Sequence, residues 1–356
     1  MSLFFELIQL TLKNRDLLSK PPSDQEWKTI FLMSQKQAIT GFIMGGLEIL
    51  SQRGFKPSSS ILYEWIAVSE QIKQQNIIVN RRCKEICEIF DKANLKTCVL
   101  KGQGNALMYP NPFARMPGDI DLWVDDTKSN IINFLKASFE NIEIKMSSHH
   151  VDFPIFNDVD VEVHYLPTYS LLLRYQAKLD IFFDEYRKQQ FSNIVCLPGI
   201  GFHINVPTDT FNIVFQLSHM QRHFFKGGIG LRHILDYYFL LIQSYSRVNT
   251  NEIKTILNEL GLLRFAQAVM WILKNALGMD EKYLLTEIDK KRGQLLLDEI
   301  MKGGNLGHYD QRLSRRLRER STTLSLVARN IRMVWLFPEE AISAPITGVV
   351  RRYIKK

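Results

Sequence analysis

The chain has 356 residues, an apolar fraction of 46% and a formal net charge of +8. That is length for about two domains of ~150 residues with a sizeable core, and no run of about 20 apolar residues offers a transmembrane helix. The charge is uneven: residues 302–356 hold 12 Lys/Arg against 4 Asp/Glu, which is the whole excess. That segment could serve a polyanion or a membrane surface, with a solvated helix face as the plainer reading.

The opening stretch MSLFFELIQLTLKNRD has no basic residue before its apolar ones and carries Glu6 among them. It reads as an amphipathic helix, not a signal peptide. Asp24 is placed to cap a helix through Trp27, Ile30, Phe31 and Met33, and helical spacing continues from Ser34 to Leu50. Pro57 and Ser58 to Ser60 break the pattern. A long helix then runs from Ile61 toward Phe90, with Ile72, Val79, Cys83, Ile86 and Phe90 on one stripe. Residues 1–94 are therefore expected to form a helical region. Cys83 and Cys87 lie one turn apart with no histidine nearby to complete a zinc site. With Cys98 and Cys196 they read as reduced thiols of a soluble, cytoplasmic protein.

Residues 95–206 read as a mixed α/β block. Strands are predicted at 96–100, 119–124, 141–146, 150–155 and 158–165. A helix from Lys128 to Phe139 is capped by Asp126-Thr127, Thr168 to Gln190 is helical, and Ile194 to Val206 holds short extended pieces. From 207 to 356 the pattern is helical again. Pro207-Thr208-Asp209 starts a helix to about Phe225, Gly227, Gly228 and Gly230 break it, and Leu231 to Gln243 follows. Further helices are expected at 251–260, 261–277, 281–301 and 312–335. The spacing of Leu324, Val327, Ile331 and Val334 predicts that this face of the basic segment packs. The class is α+β, a mixed sheet between two helical regions.

The chemistry concentrates in Cys98 to Asp126, CVLKGQGNALMYPNPFARMPGDIDLWVDD. On a strand, Asp119 and Asp121 share one face while Ile120, Leu122 and Val124 point into a core. Two adjacent carboxylates on a buried strand repel each other and lose solvation, so they need a compensating charge. A divalent metal supplies it, and hard oxygen ligands with an open coordination sphere suit Mg²⁺. Further on, Asp158, Asp160, Glu162 and His164 share one face of Asp158 to Tyr165, with valines on the other.

Leu100 to Gly102 (LKG), Arg115 with Gly118 to Val124 (GDIDLWV), and Val161 to Tyr165 (VEVHY) resemble the nucleotidyltransferase superfamily typified by DNA polymerase beta. More narrowly, they resemble a bacterial nucleotidyltransferase family within it. The likeness covers roughly 95–165 and extends weakly into the helices near 207–244, and Asp119 and Asp121 are expected to open toward a cleft lined by the 207–240 helices. The superfamily signature is a strand, a Gly-Gly or Gly-Ser turn opening a helix, then Asp-x-Asp on the next strand. Here the turn is Gly102-Gln103, without the small second residue, and the loop before Asp119 is long.

The resemblance implies a third carboxylate on a neighbouring strand, for which Glu162 is the choice and Asp160 the rival. It implies a two-ion Mg²⁺ site on Asp119, Asp121 and Glu162. Lys101 and Arg115 are candidate triphosphate contacts, Arg115 having the alternative of an ion pair to a metal-site aspartate. Gly102 permits close backbone approach, and the helix start beyond it offers free N–H groups. His164 is placed either to orient a carboxylate, to touch substrate or to brace the strand. His149 and His150 are weaker candidates near the nucleophile.

His219 and His223 have an H-x3-H spacing that could hold a metal, though no glutamate follows His219 as in zincins. Arg232 and Asp236 are spaced for an i,i+4 pair.

The expected activity is Mg²⁺-dependent transfer of NMP from an NTP to a hydroxyl or phosphate acceptor, with release of pyrophosphate. The acceptor is expected to be a small molecule or protein rather than nucleic acid, since no RNA-reading aromatic motif is present. Two alternatives stay open. One is a non-catalytic nucleotide- or partner-binding member of the fold; the other is an RNA-directed transferase using the basic tail.

Overall fold

Ser23, not Asp24, opens the second helix. Its hydroxyl accepts from the Glu26 amide at 3.3 Å, and the Glu26 carboxylate accepts from the Ser23 amide at 2.8 Å. This reciprocal box satisfies two otherwise orphaned helix donors. Asp24 instead accepts from the Ser58 amide at 3.1 Å, tying this helix to the start of the longest one. A computed structural model describes residues 2–313 and 323–354.

The N-terminal helices are α1 (Leu3–Thr11), α2 (Asp24–Lys36), α3 (Thr40–Gln52) and α4 (Ser59–Lys92). The run expected to continue from Ser34 to Leu50 is broken at Ala38, whose φ of 56° ends α2 before α3 begins.

The sheet region comprises β1 (Thr97–Leu100), α5 (Gly102–Ala106), β2 (Ile120–Val124), α6 (Lys128–Ser138), β3 (Lys145–Met146), β4 (His150–Asp152) and β5 (Val161–His164). The strand order is β1-β2-β5-β4-β3. Strand β2 runs antiparallel to β1 and parallel to β5, and the remaining pairs are antiparallel. The strands expected at 141–146 and 150–155 are thus shortened. Helix α7 (Gln176–Gln190) leads to a separate hairpin of β6 (Ile194–Leu197) and β7 (Phe202–Asn205). Asn205 Nδ2 donates to the Thr97 carbonyl at 2.9 Å and anchors that hairpin to β1.

The C-terminal helices are α8 (Asp209–Lys226), α9 (Leu231–Ser244), α10 (Thr250–Glu259), α11 (Leu263–Asn275), α12 (Lys290–Gly303), α13 (Thr323–Asn330) and α14 (Pro338–Ile354). Of the helix expected over 312–335, the part from 314 to 322 lies outside the described residues. Its predicted packed face is corrected. Leu324, Val327, Ile331 and Val334 are exposed, and Trp335 beside them is 95% exposed. Leu326, Asn330, Met333 and Phe337 bury instead. Spacing finds a stripe on this segment but assigns the wrong one to the interior, because Asn330 is drawn inward by donating to the Phe225 carbonyl at 2.9 Å.

Two apolar cores lie against the sheet. Val99, Ile120, Leu122, Val124 and Val163 meet α4 and α6 through Val79, Cys83, Phe90, Ile131 and Leu135. On the other face, Leu100 and Trp123 join a larger core shared by α1 to α3 and α7 to α12. Trp123 packs on Phe191 and stacks on Phe211, with centroids at 4.8 and 5.6 Å. Each such side chain contributes roughly 1.5–3 kcal/mol on burial. The face that carries Asp121 is therefore roofed by α8, and its acid is forced into a closed cleft.

Candidate active site

Strand β1 is wholly buried and ends at Lys101, whose φ of 56° and ψ of −134° are unusual for a residue with a Cβ. That turn reverses the chain into α5 and directs the lysine across the sheet end. Lys101 Nζ meets Asp121 Oδ1 at 2.9 Å and His219 Nε2 on α8 at 3.2 Å. Gly102 also has positive φ, 41°, while a Cβ there would meet only ordinary contact with the Asp119 carbonyl at 3.6 Å. The glycine is required by the backbone rather than by space. Gln103, where the signature has a small residue, turns away from the cleft. Its amide donates to Asn80 on α4, and its side chain is 3% exposed.

The parallel register of β2 and β5 sets Asp121 opposite Glu162 and Trp123 opposite His164. His164 Nε2 lies 3.1 Å from Asp121 Oδ1 and 3.3 Å from Glu162 Oε2. Its Nδ1 lies 3.2 Å from the Leu166 carbonyl. Glu162 Oε2 is also 3.2 Å from His150 Nδ1, and His150 Nε2 is 3.0 Å from Asp152. His149 is buried behind this pair, its Nε2 3.3 Å from His150 Nδ1. Asp121, Glu162 and His164 each offer a ligand atom, all within 4.8 Å of one another. This acceptor-rich set fits a divalent cation. Asp119 lies just before β2 and opens to the cleft. The rival Asp160 is exposed at the lower end of β5, where its carbonyl accepts from the Ile120 amide at 2.9 Å.

The two aspartates have opposite electrostatic fates. Burial opposes ionisation of Asp121, but Lys101 and His164 outweigh it and hold its carboxyl well below the usual range. Asp119 is pushed up to about 6, first by the Asp121 charge and then by loss of solvation among the cleft walls. Its open side chain makes the Asp121 charge the dependable cause. Glu162 is lowered although burial opposes this, because His164 donates to it. Burial opposes the charged form of His164 too, yet Asp121 and Glu162 raise its pKa. At His150 burial and then the His164 charge prevail, and its pKa falls to about 4.

Asp119 stands between two hollows. A cavity of about 120 Å³ lies toward α8 and α9, lined by Lys101, Gly102, Asp121, Gln216, His219, His223 and Arg232 among others. A broader one of about 850 Å³ reaches past Glu162, Asp160, Asp152 and Lys145. Arg115 is not aimed at Asp119. Its guanidinium, 5% exposed, forms a two-pronged pair with Asp236, Nε and Nη2 each at 2.8 Å. Asp236 also accepts from Tyr109 at 2.7 Å and Asn105 at 3.2 Å. The i,i+4 partner expected for it, Arg232, instead donates through Nη1 to the carbonyls of Met116 and Pro117, at 3.2 and 3.3 Å. Arg232 thereby holds the loop entering Asp119, a role invisible in its spacing.

The H-x3-H pair does not form a metal site. One Arg222 nitrogen donates to both His219 Nδ1 and His223 Nε2 at 3.0 Å. Those lone pairs are consumed by a cation already.

A mixed sheet of this order, with a carboxylate pair at its second strand and a third acid level with it on a parallel neighbour, has nucleotidyltransferase-type α+β architecture. The chain belongs to the family described as uncharacterised nucleotidyltransferase, whose model matches residues 23–278. Among solved structures it is similar to an antigenic nucleotidyltransferase-like protein from Paracoccidioides brasiliensis. The identity is 15% and the TM-score 0.33, covering 59% of this chain and 93% of that one. No curated protein matches the chain. No helix among the described residues is long and apolar enough to cross a membrane.

Proposed function

We propose that the protein transfers a nucleoside monophosphate from an NTP to a hydroxyl or phosphate acceptor in a Mg²⁺-dependent reaction. The observation that carries this reading is the level register of Asp121 and Glu162 on parallel strands, with Asp119 beside them at the cleft. Asp119 and Asp121 would hold the triphosphate-bound ion, and Glu162 would complete the set on the acceptor side. Bound divalent ions would polarise the phosphoryl oxygens and offset the charge of the departing pyrophosphate. Lys101 and Arg232 line the smaller cavity and supply fixed positive charge to a triphosphate.

The acceptor oxygen attacks the α-phosphorus, the bond from that phosphorus to its bridging oxygen breaks, and pyrophosphate leaves. Glu162 takes the acceptor proton. Arg115 serves by bracing the loop and α9 through Asp236, and His164 by orienting Asp121 and Glu162. The acceptor is a small molecule or protein rather than nucleic acid, and four free cysteines suit a cytoplasmic setting.

One observation favours a non-catalytic nucleotide-binding alternative: Lys101 already gives Asp121 a counter-charge at 2.9 Å. Calorimetric NTP titration with and without Mg²⁺, beside a pyrophosphate assay over an acceptor pool, separates the two. Asp119→Asn and Asp121→Asn are expected to weaken Mg²⁺-dependent binding and turnover together. Glu162→Gln is expected to spare binding and cut turnover by roughly 10²–10⁴-fold, the range for a lost general base. Asp160→Asn should do little. Binding that ignores Mg²⁺ in both aspartate variants would sink the reading, and binding without pyrophosphate release would favour the alternative.

A further inference from the structure

We propose that His164 is itself a metal ligand. With Asp121 and Glu162 it forms a mixed nitrogen–oxygen site for a borderline divalent cation, Mn²⁺, Co²⁺ or Zn²⁺, in preference to Mg²⁺. The inference rests on the metal-dependent reading of the same cleft and changes what the acceptor-side position would select.

The argument starts from the imidazole's fixed orientation. His164 is 1% exposed, and its Nδ1 lies 3.2 Å from the Leu166 carbonyl. A carbonyl can only accept, so the Nδ1 hydrogen is committed there. Nε2 is then the nitrogen that faces the cleft, holding a proton between the two acids when no metal is bound and giving its lone pair to a cation that displaces that proton. It faces Asp121 Oδ1 at 3.1 Å and Glu162 Oε2 at 3.3 Å. Three potential ligand atoms within 4.8 Å of one another, roofed by α8, need a shared positive centre, either a proton on Nε2 or a metal ion in its place. Lys101 does not supply it for all three, because its ammonium pairs with Asp121 and turns its other contact to His219.

The arrangement behind the ring is the one metal-bound histidines use. The far N–H is anchored on a backbone carbonyl, which fixes the tautomer and the ring plane. His164 also sits on a paired strand, level with Trp123, so the ligand is held by rigid structure. Ligand type then decides the ion. Mg²⁺ favours oxygen and sheds water reluctantly, whereas imidazole nitrogen suits Mn²⁺ less than Co²⁺ or Zn²⁺ but all three better than Mg²⁺. The position at Asp119, which has only oxygen to offer, keeps its suitability for Mg²⁺.

The test uses the full chain and Mn²⁺ alone. Binding is followed by electron paramagnetic resonance, and pulsed spectra are searched for ¹⁴N modulation. The expected result is ¹⁴N coupling in the wild-type protein that converts to the ¹⁵N pattern when histidine is ¹⁵N-labelled. This arm needs no substitution and so no assumption about a variant's folding. His164→Gln should abolish the coupling, weaken Mn²⁺ by roughly tenfold or more, and lower the preference for Mn²⁺ over Mg²⁺ in competition. Mn²⁺ bound without nitrogen coupling would overturn the proposal while leaving the carboxylate reading intact. Coupling that survives in His164→Gln would overturn it as well, pointing to His150. No Mn²⁺ binding at all would bring down both.

Discussion

Two acids separated by one residue behave as opposites, and the difference is measurable. Asp119 has its carboxyl raised to about 6 from an ordinary value of 3.8, chiefly by the Asp121 charge. A raised carboxyl binds its proton more tightly folded than unfolded. Its contribution to metal-free stability therefore grows as pH falls from above 6 toward 3.8 and is lost as pH rises through about 6. Asp121 has the contrary sign, since its lowered pKa gives stability that is lost only on acidification below the usual carboxylate range. Between pH 7.5 and 5 shifted histidines such as His150 also change stability, so the Asp119 effect is read as the difference between the wild type and Asp119→Asn. In the presence of a chelator, Asp119→Asn is expected to melt above the wild type at pH 7.5, with the gap closing toward pH 5. Divalent-metal affinity of the wild type should fall by about tenfold per pH unit below about 6, because protons compete for the same oxygens. Parallel melting curves for the two proteins across this range would refute the assignment.

The element that organises the cleft is β2, and its chemistry was legible in the sequence because alternation survives any packing. Ile120, Leu122 and Val124 face one core, so Asp121 had to face the other way. Alternation over 158–165 put Asp158, Asp160, Glu162 and His164 on one face and the resemblance chose Glu162 among them, but its level pairing with Asp121 comes from the strand register, which the sequence does not carry. The cleft was expected to be lined by the 207–240 helices, and α8 and α9 do line it; which of their side chains enter it was not legible, since they come from about a hundred residues downstream. Gln103 seemed to break the signature turn, yet its side chain points at Asn80, so the departure does not intrude on the cleft. Arg115 was legible as a residue but not as a partner, because Asp236 lies 121 positions away.

That pair yields a prediction for the loop before β2 and for α9. Burial opposes ionisation of Asp236, but Arg115 outweighs it. Arg115→Met would strand the charge with only Tyr109 and Asn105 as donors, at a cost of about 3–5 kcal/mol. The drop should appear in the urea midpoint, and Arg115→Met with Asp236→Leu should recover much of it. Unchanged stability with weakened NTP affinity would instead make Arg115 a triphosphate contact.

At the scale of the whole molecule, the question is whether the basic C-terminal segment is an appendage or a wall. Its described part behaves as a wall. Phe337, Ala341 and Ala344 bury in the same core as α1 and α8, and Thr347 donates to the Leu171 carbonyl at 2.8 Å. Arg351 lies over the Tyr169 ring with its guanidinium carbon 3.7 Å from the centroid. Arg312 pairs with Glu299 at 2.7 Å, and Arg332 reaches both Glu299 and Asp310 at 3.2 Å. Gly307 passes so close to the α8–α9 turn that a Cβ would fall 1.9 Å from the Gly227 carbonyl. The segment thus begins locked against the turn that positions Arg232 and ends against the core.

Truncation after Gly307 is therefore expected to lower the melting temperature sharply. Phe337→Ala alone should cost about 3–5 kcal/mol, the range for a large side chain removed from a packed interior. NTP binding by the truncated chain should weaken along with stability, since α8 loses the helices packed behind it. The competing outcome is specific: a truncated chain with an unchanged melting curve that loses salt-sensitive binding to RNA or to anionic vesicles. That result would make the positive charge the purpose of the segment. The exposed stripe from Leu324 to Trp335 would then be the face to mutate first.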